Sequence, residues 1–333
     1  MAQEAVGSRP IFRPIFFPML DFGNPRRVIA ICREHIGDIV NSTGALRAIR
    51  TRFPDAHIVA EVGERAASVL NGLDSVDEIW SRPTHQGLLG KGSAIRRMAR
   101  GNFDLAIILD DSNTHIRAAK LAGIPLRVGI YKSKHRDWYT ACVDHRMDEH
   151  DLFDPLERLV ALFGDKSLPP PELAIEPTES RDIDVFLCVG ASDPRKAWPL
   201  ENFERLATLL PSDLRVGQLL APGEPSLTSV ESVATESVQS SAFLMASAKA
   251  VVANDSAAAH IAAASGAKAV VIYGPTDPVR FAPWGSGHVL LRSSEVACDL
   301  MTTGCRCADL PCESMRTVTP EQVGQAIRQL VSS

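Results

Sequence analysis

The sequence predicts an α/β fold built in two halves, each a parallel sheet covered by helices. Three observations carry this. Continuous apolar runs such as VIAIC (28–32), LAIILD (105–110) and AVVIYG (269–274) alternate with helix-spaced segments. Strands read as uninterrupted apolar runs when helices bury both faces of a sheet. A stretch rich in Pro and charge, DKSLPPPELAIEPTESRD (165–182), separates two such alternations, as an interdomain linker does. The length of 333 residues also favours two domains over one. The expected division is a first domain over 1–164, the linker, and a second domain over 183–333.

In the first half the strands VIAIC, HIVAEV (57–62), DEIW (77–80), LAIILD and LRVGI (126–130) are expected. Between and after them come helices over 39–53, near 66–70, around 93–100, over 114–122 and over 152–163. In the second half DVFLCV (184–189), LRVGQLL (214–220), AVVAN (250–254) and AVVIYG are strands. Helices fit at 200–210, 242–248 and 256–265. A last helix begins at Thr319-Pro-Glu-Gln, with Thr319 as N-cap, Pro320 at the first helical position and Gln322 closing a capping box.

Composition excludes some classes. Net charge is −5 with no long basic run, so nucleic acid is not an expected partner, since wrapping it rests on many Lys/Arg–phosphate contacts. No apolar segment approaches the length of a membrane-spanning helix. The leader is interrupted by Pro10, Pro14 and Pro18 and is not read as a signal peptide. Ile11, Phe12, Ile15, Phe16 and Phe17 offer a peripheral membrane contact as an alternative to a simple arm. Seven cysteines in a chain this long argue against a disulfide-stapled secreted fold, and the expected compartment is the cytoplasm. Cys298, Cys305, Cys307 and Cys312 are spaced C-x6-C-x-C-x4-C, which is not a pair of C-x-x-C knuckles. They are read as reduced thiols, and no metal is expected.

Open parallel sheets bind ligands beyond the carboxyl ends of their strands, so the strand-to-helix junctions are the candidate sites. His35-Ile36-Gly37-Asp38 follows the first strand, with Gly37 expected to ease the turn. Asp38 near the helix start can accept a proton from a substrate hydroxyl, although a carboxylate there also serves as an ordinary cap or dipole partner. In GASDPRKAWP (190–199), Lys196 can reach a diphosphate with Ser192 as a neutral donor, Arg195 is an alternative cation, and Trp198 is a packing residue. After AVVAN, Asp255-Ser256 opens a helix that Ser256 can cap. His260 lies four positions on, on the same face. Gly274 and Thr276 in YGPTDP add donors, and Glu224 in APGEP can hold a ribose hydroxyl. Two basic clusters, Arg96, Arg97 and Arg100, then Lys132, Lys134, His135 and Arg136, can bind an anionic acceptor or simply form solvated faces.

In order and spacing these motifs resemble the bacterial heptosyltransferases, ADP-heptose-using glycosyltransferases of family 9. The resemblance runs from about residue 27 to the C-terminus. It is carried by IGD with its helix (36–50), FDLAIILDDS (103–112), K-x-W-P (196–199), DS…H (255–260), GPTDP (274–278) and the Cys-rich segment before TPEQV. It implies the GT-B architecture, two Rossmann-like domains facing across a cleft. It also implies Asp38 as general base, with Ser192, Lys196, Asp255, Ser256 and His260 in the donor site. The chain departs from the family at Ala257-Ala258, where Gly-Pro usually follows DS, and at Gly44, where Pro is common. The segment between Glu224 and Ala242, short and serine-rich, reads as a trimmed loop. The implied reaction is inverting transfer of a heptose or related sugar from an ADP-sugar, with no cofactor, to a hydroxyl of an anionic glycan or glycolipid in lipopolysaccharide core assembly. Rivals are a same-fold transferase acting on a soluble natural-product scaffold, a GT-B-type sugar-nucleotide epimerase and a non-catalytic sugar-nucleotide binder.

Overall fold

The computed structural model describes residues 21–83, 88–132, 134–144, 152–179, 182–293, 298 and 310–332. The leader residues named above, Cys305 and Cys307 lie outside that set.

The chain divides between Ala174 and Ile175 into two compact units. In the first, β1 (Arg27–Ile31), β2 (His57–Gly63), β3 (Glu78–Arg82), β4 (Leu105–Ile108), β5 (Leu126–Tyr131) and β6 (Ala141–Asp144) form one sheet. Its helices are α1 (Ile36–Arg52), α2 (Leu88–Arg100), α3 (Asn113–Leu121) and α4 (Asp154–Ala161). In the second, β7 (Val185–Cys188), β8 (Val216–Leu220), β9 (Glu231–Ala234), β10 (Ala250–Asn254), β11 (Ala269–Tyr273) and β12 (Val289–Arg292) form the other sheet. It carries α5 (Leu200–Leu209), α6 (Val238–Ser247), α7 (Ala257–Ala264), α8 (Pro278–Phe281), α9 (Glu313–Arg316) and α10 (Pro320–Ser332).

The sheets are ordered β3-β2-β1-β4-β5-β6 and β12-β11-β10-β7-β8-β9, and every strand pair is parallel. Counted within its own half, each sheet has the order 3-2-1-4-5-6 of a dinucleotide-binding fold. The order reverses between β1 and β4 in one half and between β7 and β10 in the other. Adjacent loops leave in opposite directions there and open a crevice at the carboxyl end of the sheet.

Apart from Arg27 at the start of β1, the central strands are buried along their length. Ile29, Ile31, Ala106 and Ile108 pack with Met98 of α2 and Ile116 of α3 on one face of the first sheet. Val185, Leu187, Val252 and Ile272 pack with Phe203 and Leu206 of α5 and Ile327 of α10 in the second. Each of these side chains larger than alanine contributes about 1.5–3 kcal/mol when fully buried.

Several expectations need correction. Residues 64–70 form a 3₁₀ helix rather than an α-helix. The strands β6, β9 and β12 were not expected, because all three are edge strands and their residues are half-exposed or mixed in polarity. The segment between Glu224 and Ala242 is more than a loop. It holds β9 and the first turn of α6, which starts at Val238 because Ser237 and Ser240 cap it reciprocally. Gly37 does not make the β1–α1 turn, since it lies inside α1, and the turn is completed by His35 in extended conformation. The capping box of α10 forms: Gln322 N–H donates to Thr319 Oγ1 at 3.3 Å and Thr319 N–H to Gln322 Oε1 at 2.8 Å.

Candidate functional site

In the first half the crevice between β1 and β4 is a cavity of about 1100 Å³, lined by Arg33, Asp38, Arg82, Lys91, Asp110 and His115 among others. Asp38 sits in the first turn of α1, with Arg33 Nη1 4.0 Å from its Oδ1 and its side chain about one-third exposed. Hidden contacts set the loop before it. Arg82, 7% exposed, donates from Nη2 to the Cys32 carbonyl (3.0 Å) and from Nη1 to Glu61 (3.4 Å). A Cβ on Gly63 would come within 2.9 Å of the Glu34 backbone, so the loop lies directly on β2. Burial pushes the Cys32 thiol up to about 12, leaving it a small apolar filler.

At the end of β4, Asp110 is 5% exposed. Its Oδ1 accepts the Ser112 N–H at 3.0 Å, and its Oδ2 lies 2.6 Å from His115 Nδ1. Of the predicted basic residues, His135 lines this cavity and the others sit elsewhere. Arg96, Arg97 and Arg100 do not line this cavity. With Trp80 and Ser93 they line a separate recess of about 410 Å³, and the Arg97 guanidinium lies 3.9 Å from the Trp80 ring centre. Arg136 bonds Asp144 at 2.6 Å. Lys132 pairs with Asp111, a wall residue of the large cavity, at 2.8 Å. The cavity's own cations Lys91 and Arg117 escaped sequence reasoning, because isolated basic residues on helices carry no local signal.

In the second half the junctions after β7 and β10 meet at the other reversal. Lys196 Nζ donates to Asp255 Oδ2 at 3.1 Å across it, with both side chains largely buried. Asn254, fully buried, ties the two loops. Its side-chain amide donates to the Val189 and Gly190 carbonyls (2.9 and 3.2 Å), and its Oδ1 accepts the Trp198 N–H (3.0 Å). Trp198 is a packing residue, and its indole N–H donates to the Val318 carbonyl at 2.8 Å. Arg195 is held by Asp193 at 2.5 Å, a pairing that keeps the Asp193 carboxyl below its ordinary range. Ser192 is exposed on the same loop.

Ser256 is the N-cap of α7 by position, but its side chain makes no capping bond, contrary to expectation. His260 is buried one turn further along α7. Glu224 packs against Gly190, where a Cβ would run into its carboxylate, and burial raises its pKa above the ordinary 4.5. Thr276, 4% exposed, follows β11, and among the described residues its hydroxyl has no hydrogen-bond partner. A Cβ at Gly274 would strike Met315, so its bareness serves the packing of α9. Among the described residues no group of three His, Cys, Asp or Glu is arranged to hold a metal, and no helix is long and apolar enough to cross a membrane.

Two Rossmann-like halves, one presenting a carboxylate over a cavity and the other a cation at paired helix and loop termini, define an α/β enzyme of the GT-B class. The comparisons narrow this. The family model of glycosyltransferase family 9 (heptosyltransferase) matches residues 92–307. Lipooligosaccharide heptosyltransferase 2 of Haemophilus influenzae is 23% identical over 92% of this chain and 99% of its own length. Among solved structures, a family 9 glycosyl transferase from Veillonella parvula superposes with a TM-score of 0.76 at 18% identity, over 94% of this chain and 98% of its own. The ADP-heptose lipopolysaccharide heptosyltransferase II of Escherichia coli gives 0.71 at 20%, over 92% and 98%. The chain belongs to glycosyltransferase family 9, the heptosyltransferases, and is therefore a glycosyltransferase rather than an epimerase or a non-catalytic binder. The family match begins after Asp38, whose role rests on its position.

Proposed function

We propose that the protein transfers heptose from ADP-heptose to a hydroxyl of an anionic acceptor in lipopolysaccharide core assembly, with inversion at the anomeric carbon. The observation that carries the reading is Asp38 at the wall of the first-half cavity, in the first turn of the helix that follows β1. The acceptor lies in that cavity, where Lys91 and Arg117 have no ion-pair partner among the described residues and suit an anionic glycan. Asp38 takes the proton as the acceptor oxygen attacks the anomeric carbon and ADP leaves. Lys196, the N–H groups opening α7 and the Thr276 hydroxyl take up charge on the departing diphosphate. Ser192 and His260 border that site, and Glu224 holds a ribose hydroxyl. The lipopolysaccharide-directed names of the relatives favour this acceptor over a soluble natural-product scaffold. On this reading the protein acts in the cytoplasm, at the inner face of the cytoplasmic membrane.

The test is a thermal-shift comparison of ADP, UDP and GDP at equal concentration, followed by transfer from ADP-heptose to deacylated, heptose-deficient lipopolysaccharide. ADP is expected to stabilise most, through the linkage of binding to folding. Greater stabilisation by UDP or GDP overturns the donor assignment.

A further inference from the structure

The acceptor cavity contains a pair that the reaction above does not use. Asp110 closes β4, and His115 stands in the first turn of α3. Both oxygens of the Asp110 carboxylate are engaged: Oδ1 accepts the Ser112 N–H at 3.0 Å and Oδ2 meets His115 Nδ1 at 2.6 Å. The two side chains are 8% and 13% exposed. A carboxylate only accepts hydrogen bonds, so Nδ1 carries a proton, and the ring's second nitrogen is fixed in position. The ring is also a wall residue of the cavity that holds Asp38. Among the described residues the Asp110 contact is the one side-chain hydrogen bond the ring makes.

A carboxylate-anchored imidazole is a costly device for filling space. Packing alone would be served by an apolar side chain, without removing a carboxylate from water. What the anchor provides is a ring whose free nitrogen faces its ligand with little rotational freedom left to lose.

We propose that His115, oriented by Asp110, fixes the acceptor in this cavity through a hydrogen bond between its Nε2 and an acceptor oxygen. The oxygen belongs to a sugar hydroxyl or to an anionic substituent on the sugar: neutral Nε2 accepts from the first, and protonated Nε2 donates to the second. His115 is thus a binding residue and Asp110 a positioning residue. This inference rests on the reading of the cavity as the acceptor site.

The experiment is steady-state transfer from ADP-heptose to deacylated, heptose-deficient lipopolysaccharide, varying each substrate in turn. It uses wild type, His115→Ala, His115→Gln, His115→Asn, Asp110→Asn and, as a control, Asp38→Ala. Loss of one hydrogen bond to a bound oxygen is expected to raise the acceptor KM of His115→Ala about tenfold, with the donor KM unchanged. Glutamine places an amide near the Nε2 position and is expected to restore most of the affinity. Asparagine reaches only the Nδ1 position, keeps the Asp110 contact, and is expected to behave like alanine. Asp110→Asn is expected to raise the acceptor KM by less than His115→Ala, since the ring stays but is no longer fixed. Rescue by asparagine and not glutamine overturns the proposal, because it makes the pair a brace for the β4–α3 loop. An unchanged acceptor KM in His115→Ala overturns it as well. If His115→Ala does not fold, the glutamine–asparagine contrast decides. If wild type does not use this acceptor, the functional reading fails and the inference with it. If wild type transfers, Asp38→Ala does not, and the His115 variants match wild type, only the inference fails.

Discussion

The two halves share a strand order and a point of reversal, yet they spend an acidic residue at that point differently. In the first half Asp110, just past the fourth strand, grips His115 five residues away in the helix that follows. In the second half Asp255, just past the equivalent strand, grips Lys196 from the opposite loop, 59 residues away. The first arrangement is local and leaves a wide cavity whose walls carry both signs of charge. The second spans the crevice and leaves a largely buried ion pair. An acceptor whose shape varies is suited by a roomy, many-sided site. A diphosphate leaving group is suited by one cation held in place before the charge develops.

The sharpest way to break this comparison is to disable one side and read the other. Asp38→Ala is expected to lower transfer by about 10²–10⁴-fold, the range of a general base, while calorimetry with ADP shows unchanged affinity. Transfer within threefold of wild type, on the order of 0.7 kcal/mol, would remove Asp38 from the base role. Lys196→Ala should do the converse and weaken ADP binding by about 1.5–3 kcal/mol, as expected for a charge-assisted contact. It also strands Asp255 in a buried position. The double variant Lys196→Ala/Asp255→Asn is therefore expected to recover thermal stability but not ADP affinity. Recovery of both would mean that the ion pair is purely structural.

A smaller effect sharpens the contrast without touching either ligand. A Cβ on Gly44 would run into the Pro169 carbonyl. Thr43 Oγ1 accepts the Glu172 N–H at 2.8 Å beside it. Gly44→Ala should cost about 1–3 kcal/mol by overpacking and leave ADP affinity intact, as urea unfolding and calorimetry would report.

The smallest effect lies at Glu224. Its pKa is raised by burial, so between the ordinary value and the folded one the folded chain keeps a proton that the unfolded chain has released. Stability falls as pH rises through that window, and the deficit persists at neutral pH. Glu224→Gln is expected to melt slightly higher than wild type near neutral pH, and no higher once the pH is well below 4.5. A lower melting point at neutral pH would show that the ionised carboxylate is needed by the Ala221 N–H, which it accepts at 3.2 Å.

Much of this was legible because the central strands are apolar throughout, and because Asp38, Lys196 and Asp255 stand where such strands end. Edge strands such as β6, β9 and β12 were not legible, since only one side of each is paired and their residues carry no continuous apolar run. Arg96, Arg97 and Arg100 were chosen for charge density, but helix α2 turns Lys91, Ala94, Ile95 and Met98 toward the cavity and those arginines toward Trp80. Arg82 and Asn254 escaped notice because their partners are 50 and 65 residues away. His115 had a readable signal in Asp110, five residues earlier at a strand end, which the search for basic clusters passed over.

Asn254 sets a rule for how this half can change over time. Its one amide holds the loop after β7 at both ends, at Gly190 and at Trp198. An insertion or deletion between those two residues draws at least one partner away and leaves a fully buried polar group unsatisfied, at about 1–3 kcal/mol. Side chains on the loop that meet neither the amide nor a ligand are free to change. Loop length is not. In this half, substitutions are therefore expected to be tolerated better than changes of length between Gly190 and Trp198.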